Sequence, residues 1–166
     1  MPKTVARLVD PIVAVLAWLY KWSRDPSTRR LYPLERCLIA IMIDDVPKEI
    51  ASAIALQMKY YNHYERSIDS QIVTFLHIER FSVHFDHAYD LPLNTLDKVR
   101  LCSISFRTGT SQESWHAAAD SYDRQFCGLA FNRPARPILR ETDIRILRVK
   151  TITRRWIARP GEAAIR

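Results

Sequence analysis

The side chains most able to do chemistry lie close together between residues 82 and 87. Ser82, His84 and Asp86 alternate along a predicted strand and therefore share one face of it. A serine, a histidine and an aspartate are the three residue types of a hydrolytic triad. A working triad also needs an acid behind the imidazole and an oxyanion donor ahead of the serine, and the sequence supplies no such donor. We interpret these residues as the polar side of a solvated strand. A hydrolase that uses them is a third hypothesis, beside the two given at the end of this subsection.

A metal site is not predicted. His84 and His87 form an H-x-x-H pattern, but residues three apart on a strand face opposite sides. No C-x-x-C motif accompanies them to complete a zinc site. Asp44 and Asp45 precede Pro47, which favours helix capping over paired acid chemistry.

Glycine usage excludes the common nucleotide-binding loops. The chain has three glycines, Gly109, Gly128 and Gly161, each isolated from the others. Neither a P-loop nor a dinucleotide-binding fingerprint can be built from them. We therefore predict a protein without catalysis, without a cofactor and without a small-molecule substrate.

The positive charge is confined to one end of the chain. Residues 1–132 are neutral overall, and residues 133–166 carry ten Arg and Lys side chains against three carboxylates, which accounts for the whole net charge of +7. A neutral body with a cationic end indicates an anionic partner, either nucleic acid or an acidic membrane surface; the alternative is a solubilising tail. Trp156 adds an amphipathic aromatic beside the arginines. The predicted sites for anionic lipid or RNA are Arg145, Arg148, Lys150, Arg154, Arg155 and Arg159.

The N-terminus carries an apolar run at residues 11–20. Asp10 and Pro11 indicate a helix start, but ten residues are too few to cross a bilayer as a helix, which needs about 20. A helix with apolar groups on most sides must bury them in the fold, in a second subunit or in a lipid interface. The residues predicted to serve membrane binding or self-association are Ile12, Val15, Leu16, Trp18, Leu19 and Trp22.

The remaining elements are predicted from periodicity. A continuous apolar run predicts a buried strand at 34–43, and apolar spacings of three and four predict an amphipathic helix at 47–64. Strands are predicted at 72–78, 81–87, 99–106 and 129–131, with a bulge or tight turn at Glu79 and Arg80, and one or two arginine-edged strands within 138–156. A second helix is predicted at 111–126, because Thr110 and Glu113 form a capping box and Gly128 suits a left-handed cap.

These elements predict an α+β fold. It consists of a mainly antiparallel sheet with two amphipathic helices packed on it, plus the N-terminal apolar helix. The predicted organisation is an N-terminal helix and linker (1–30), one α+β domain (31–156) and a basic tail (157–166). Cys37, Cys102 and Cys127 are odd in number and lie in or beside apolar runs, which indicates buried free thiols in a reducing compartment.

The order of elements across residues 31–150, together with size and basic charge, resembles the small matrix proteins of non-segmented negative-strand RNA viruses, of the rhabdovirus and bornavirus type. No signature motif carries this resemblance. It implies a self-associating structural protein that lines the inner face of a viral envelope and contacts the nucleocapsid. It also implies a location in the virion and the host cytoplasm, peripheral to membranes, with the nucleus left open.

Two functional hypotheses from different classes follow. The first is a viral matrix-like protein that forms homo-oligomers and bridges an anionic membrane and ribonucleoprotein during virion assembly. The alternative is a small RNA-binding regulator, such as a viral silencing suppressor, which would place the same arginines on phosphates without membrane contact.

Overall fold

The computed structural model describes residues 29–80, 82–109 and 111–152. Within these ranges the chain forms two helices, α1 (Pro33–Asp45) and α2 (Lys48–Tyr60), followed by seven strands. The strands are β1 (His63–Arg66), β2 (Ile72–Glu79), β3 (Ser82–His84), β4 (Val99–Thr108), β5 (Ser111–Tyr122), β6 (Gln125–Phe131) and β7 (Ile144–Thr151). A short 3₁₀ helix, His87–Tyr89, lies between β3 and β4.

The strands form one antiparallel sheet. Neighbouring strands lie in the order β1-β2-β6-β5-β4-β7, and β3 pairs with the last residues of β2. The predicted α+β class, with an antiparallel sheet and two helices, is therefore confirmed. The predicted N-terminal helix and the predicted basic tail lie outside the described residues.

Both helices pack on one side of the sheet. Leu34, Leu38 and Met42 of α1 and Ile50 and Ile54 of α2 are fully buried. They share a single apolar core with alternate residues of the strands, of which Ile104 and Phe106 on β4 are examples. Burial on this scale stabilises the fold by roughly 1.5–3 kcal/mol for each large aliphatic or aromatic side chain.

A buried amide fixes α2 against the sheet. The side-chain nitrogen of Gln57 donates to the carbonyl of Tyr89 at 2.6 Å, and its oxygen accepts from the backbone nitrogen of Phe126 at 2.7 Å. Tyr61, directly after the helix, donates its hydroxyl to the carbonyl of Phe126 at 2.8 Å. Burial raises the pKa of the Tyr61 phenol, so it remains a hydrogen-bond donor.

The predicted strand at 34–43 is wrong, because this segment forms α1. Leu34, Leu38 and Met42 are spaced by four residues, which is the spacing of one helical face. Pro33 occupies the first turn, and the carboxylate of Glu35 accepts from the backbone nitrogen of Tyr32 at 2.7 Å. Asp44 and Asp45 consequently end α1, and their predicted role as caps of the next helix is wrong too.

The predicted helix at 111–126 is also wrong, because the segment forms β5 and the start of β6. Trp115, Ala117 and Ala119 are buried in alternation, as on one face of a strand, and Tyr122 is exposed. β5 pairs with β4 on one side and β6 on the other, so its backbone forms ladders along both edges. These pairings outweigh a helix preference of a few tenths of a kcal/mol per residue.

Gly128 lies inside β6 and not at a helix end, so its predicted capping role is wrong. Its φ of 148° belongs to the region that favours glycine. A Cβ atom at this position would collide with the backbone carbonyl of Val73 on β2. Glycine is required here because β2 and β6 approach each other closely.

The other predicted elements are found with changed bounds. The helix predicted at 47–64 ends at Tyr60, and Tyr64 is instead a buried residue of β1. The strands predicted at 72–78 and 99–106 are confirmed as β2 and β4. Arg80, where a turn is predicted, has a positive φ of 46°. The predicted arginine-edged region contains β7. The strand predicted at 81–87 is reduced to β3, and the one predicted at 129–131 is the end of β6.

Candidate anion-binding face

The sheet side opposite the helices is called here the open face. Cross-strand partners share a face, so the register identifies its members. One row runs from Ile72 through Ala130, Ala118 and Ser103 to Lys150. None of these side chains belongs to the buried class, which distinguishes the open face from the apolar side that holds the core.

Four cations line the β4–β7 edge of the open face and form what we call the basic strip: Arg107, Arg145, Arg148 and Lys150. Arg148 lies opposite Ser105, and Lys150 lies opposite Ser103. Arg145 lies directly opposite Arg107, which places two like charges in a cross-strand pair. Such a pair destabilises the sheet by a few tenths of a kcal/mol or more.

A β-bulge brings these cations to one face. Arg145 and Arg148 are three residues apart, and on a regular strand they would point to opposite sides. The register shifts between Ser105 and Phe106, so that Leu147 becomes the extra residue on β7. The basic strip therefore depends on backbone geometry as well as on arginine content.

The basic strip is not neutralised by the carboxylates that the structure describes. Within residues 29–80, 82–109 and 111–152, none of its four side chains forms a salt bridge. Of the neighbouring acids, Glu113 pairs with Arg133, and the side chain of Asp143 lies beside Gly109. The strip therefore presents a concentrated positive potential to the solvent.

A second group of charges on the open face is internally balanced. Asp120 accepts from Lys98 at 3.0 Å and from Arg100 at 3.0 Å. Burial alone would raise the pKa of Asp120, but the hydrogen bonds and charges of Arg100 and Lys98 outweigh it and lower that pKa. This cluster contrasts with the basic strip, whose cations have no such counterion among the described residues.

A shallow groove of about 240 Å³ lies in the middle of the open face. Its lining includes the small residues Gly128 and Ala130 and the larger side chains of Ile72 and Tyr122. Tyr122 is 63% exposed. An aromatic ring with this exposure can stack on a flat ligand or lie at a membrane surface.

The structure locates half of the predicted anion-binding residues. Arg145, Arg148 and Lys150 are brought together, whereas Arg154, Arg155 and Arg159 lie outside the described residues. The membrane or self-association residues Ile12, Val15, Leu16, Trp18, Leu19 and Trp22 lie outside them as well. Arg107 was missed, although its position directly after the predicted strand at 99–106 is a signal that could have identified it.

The triad candidates are brought only partly together. The hydroxyl of Ser82 and Nε2 of His84 are 2.8 Å apart on β3. Asp86 lies beyond the strand and accepts from the backbone nitrogen of Ala88, so it does not support the imidazole. His87 contacts Asp90 at 3.1 Å, and no metal-binding group of three ligands occurs among the described residues.

Another serine–histidine contact was not predicted from the sequence. The hydroxyl of Ser105 lies 2.9 Å from Nδ1 of His116 on the open face, in the row that contains Arg148. Asn132 accepts from the backbone nitrogen of His116 and does not contact the ring. The described residues place no carboxylate on this imidazole, so the pair lacks the acid that a triad requires.

Comparison of the chain with protein-family models, curated proteins and solved structures gives no match. Each described helix has 13 residues, and neither is long and apolar enough to cross a membrane.

Proposed function

We propose that this chain is a matrix-like structural protein that self-associates and bridges an anionic membrane and ribonucleoprotein during virion assembly. The observation that carries the proposal is the basic strip, and above all its Arg107 and Arg145 pair. Two like charges held opposite each other, with no salt bridge to a carboxylate of the described residues, cost stability in the free protein. A phosphate placed between them would remove that cost.

The size of the effect is sufficient for peripheral binding. Each Lys or Arg near an anionic bilayer contributes about 1 kcal/mol, so four cations contribute roughly 4 kcal/mol at low salt. The three arginines add planar forks that bind phosphate oxygens bidentately. Arg154, Arg155 and Arg159 follow β7 along the chain and extend the same cationic sequence.

Self-association is assigned to the apolar run near the N-terminus. The alternative is pairing through sheet edges. At the β7 edge such pairing would bring the Arg and Lys side chains of two copies together, and charged edges oppose it. Ile12, Val15, Leu16, Trp18, Leu19 and Trp22 provide apolar area without this repulsion.

A second candidate is the small RNA-binding regulator. Tyr122 favours it, because an exposed ring beside the groove and near Lys98 could stack on an unpaired base. This candidate uses the same basic strip on RNA phosphates and requires no lipid.

Charge reversal tests the proposal with a matched control. The double variant Arg148→Glu/Lys150→Glu changes two cations that face serines, so the sheet loses no ion pair. We expect its binding to anionic vesicles at low salt to fall by at least tenfold, since the reversal replaces attraction by repulsion at two positions. Flotation with vesicles of phosphatidylcholine and phosphatidylserine measures this.

The control is Lys48→Glu/Lys59→Glu, which makes the same charge change on exposed positions of α2, on the opposite side of the sheet. Vesicle binding should fall much less for this control. Equal losses for the two double variants would show that only net charge matters and would contradict the assignment to the basic strip.

A further inference from the structure

Leu147 is an exposed apolar residue of β7 that lies next to the basic strip along the chain. It is 43% exposed and lies between Arg145 and Arg148 on β7. It is the extra residue of the bulge, so it has no partner position on β4. The backbone irregularity that gathers the cations thus coincides with an exposed leucine, which is not among the apolar side chains of β7 that pack against the core.

An exposed leucine between Arg145 and Arg148 on one strand suits one kind of anionic partner better than another. RNA phosphates attract the guanidinium and ammonium groups but give an aliphatic side chain nothing to bury itself in, and base stacking uses aromatic rings. A bilayer offers phosphates at the headgroup level and hydrocarbon directly beneath it. Interfacial segments of proteins combine Lys and Arg with leucine for this reason.

We propose that Leu147 is the apolar anchor of the basic strip and enters the acyl boundary of an anionic glycerophospholipid bilayer. Arg145, Arg148 and Lys150 contact the headgroup phosphates around it. Their long side chains reach the polar layer while their aliphatic parts lie along the apolar boundary. This inference rests on the proposed function and names the membrane-facing residues of the strip.

The salt dependence of vesicle binding distinguishes the contribution of Leu147 from that of the charged side chains. Attraction between the strip and the headgroups weakens at high salt, because the Debye length shrinks to about 3 Å at 1 M ionic strength. Burial of a leucine side chain does not weaken under these conditions. The contribution of Leu147 should therefore dominate the binding that remains at high salt.

The test compares Leu147→Ser with Leu56→Ser, since Leu56 on α2 has a nearly equal exposure of 45%. The probe is vesicles of equal parts phosphatidylcholine and phosphatidylserine, with flotation in low and high salt. We expect Leu147→Ser to lose on the order of fivefold in partitioning at high salt, given the transfer free energy of a partly exposed leucine. Leu56→Ser should stay within about twofold of the native protein, and Leu147→Phe should retain binding.

The outcomes separate the two proposals. Native binding to these vesicles with no loss in Leu147→Ser at either salt concentration would overturn the anchor and leave the proposed function standing. Failure of the native protein itself to bind vesicles would overturn both. RNA binding that is unchanged in Leu147→Ser, without any vesicle binding, would favour the RNA-binding regulator. Far-UV circular dichroism of each variant checks that the fold is retained.

Discussion

The ion pair between Glu35 and Arg66 shows how strongly one residue can constrain this fold. The Glu35 side chain is fully buried, and Arg66 donates to its two oxygens at 2.8 Å and 2.6 Å. Arg66 also donates to the carbonyl of Arg30 and lies 4.7 Å from the centre of the Tyr32 ring. The pair connects the first turn of α1 to β1, and desolvation makes either charge costly without the other.

Replacement of Glu35 by Gln should therefore destabilise the protein by about 3 kcal/mol, because it removes the buried carboxylate that accepts two hydrogen bonds from the Arg66 guanidinium. Urea unfolding followed by circular dichroism measures the change in the free energy of unfolding. Glu49→Gln on the exposed side of α2 is the control and should change that free energy by less than about 0.5 kcal/mol. A similar result for both variants would show that the buried pair contributes nothing to stability.

Replacement of Arg145 by Glu should change the stability of the protein and its vesicle binding in opposite directions. Arg145→Glu converts the repulsive pair with Arg107 into an attractive one, so the free energy of unfolding should rise by roughly 0.5 kcal/mol. Vesicle binding at low salt should fall, because the strip loses a cation and gains an anion. Paired urea unfolding and flotation experiments check both signs, and lower stability in this variant would contradict the like-charge pair.

At the scale of elements, helix α2 and strand β4 could be predicted because each has an unambiguous period. Ile50 and Ile54 recur at helical spacing, and Cys102, Ile104 and Phe106 alternate with polar residues. Such patterns require no knowledge of distant partners.

Helix α1 and strand β5 were predicted in the wrong state for different reasons. The run at 34–43 is almost continuously apolar, and periodicity alone does not distinguish a buried strand from a buried helix. In β5, Ala117 to Ala119 favour a helix locally, but the strand is fixed by β4 and β6. The turn from β5 to β6 has positive φ at Asp123 and Arg124, without the glycine that would have signalled a hairpin.

The candidate site was predictable in composition but not in geometry. The arginines and Lys150 can be read directly from the sequence. Their common face depends on the bulge at Leu147, and the pairing of Arg145 with Arg107 depends on the register of β7 on β4. Both are products of tertiary pairing, for which the local sequence carries no signal.

The close approach of β2 to β6 at Gly128 can be tested by substitution. Gly128→Ala should lower the free energy of unfolding by about 2 kcal/mol or more, since the added methyl group meets the rigid backbone of Val73 and the φ is unfavourable for alanine. Gly109→Ala is the comparison, because its Cβ would meet only the movable side chain of Asp143. Thermal or urea unfolding should rank Gly128→Ala as the more damaging, and the reverse order would contradict the described approach of β2 to β6.

At the scale of the whole molecule, the residues that form the core and the residues proposed to bind an anionic partner lie on opposite sides of the sheet. The helices and the apolar core occupy one side of the sheet, and the basic strip occupies the edge of the other. The charge of the strip therefore lies away from the apolar core. A protein with this division is suited to lie on an anionic surface, and its C-terminal arginines add to the same charge.

The most direct test of this account is flotation of the native protein with phosphatidylserine-containing vesicles, beside vesicles of phosphatidylcholine alone and beside a generic RNA. Light scattering at low and high salt follows self-association in the same samples. If the protein is matrix-like, it should bind to the anionic vesicles, bind little to the neutral ones, and self-associate. A monomer that ignores both kinds of vesicle and binds only RNA would contradict the matrix-like function.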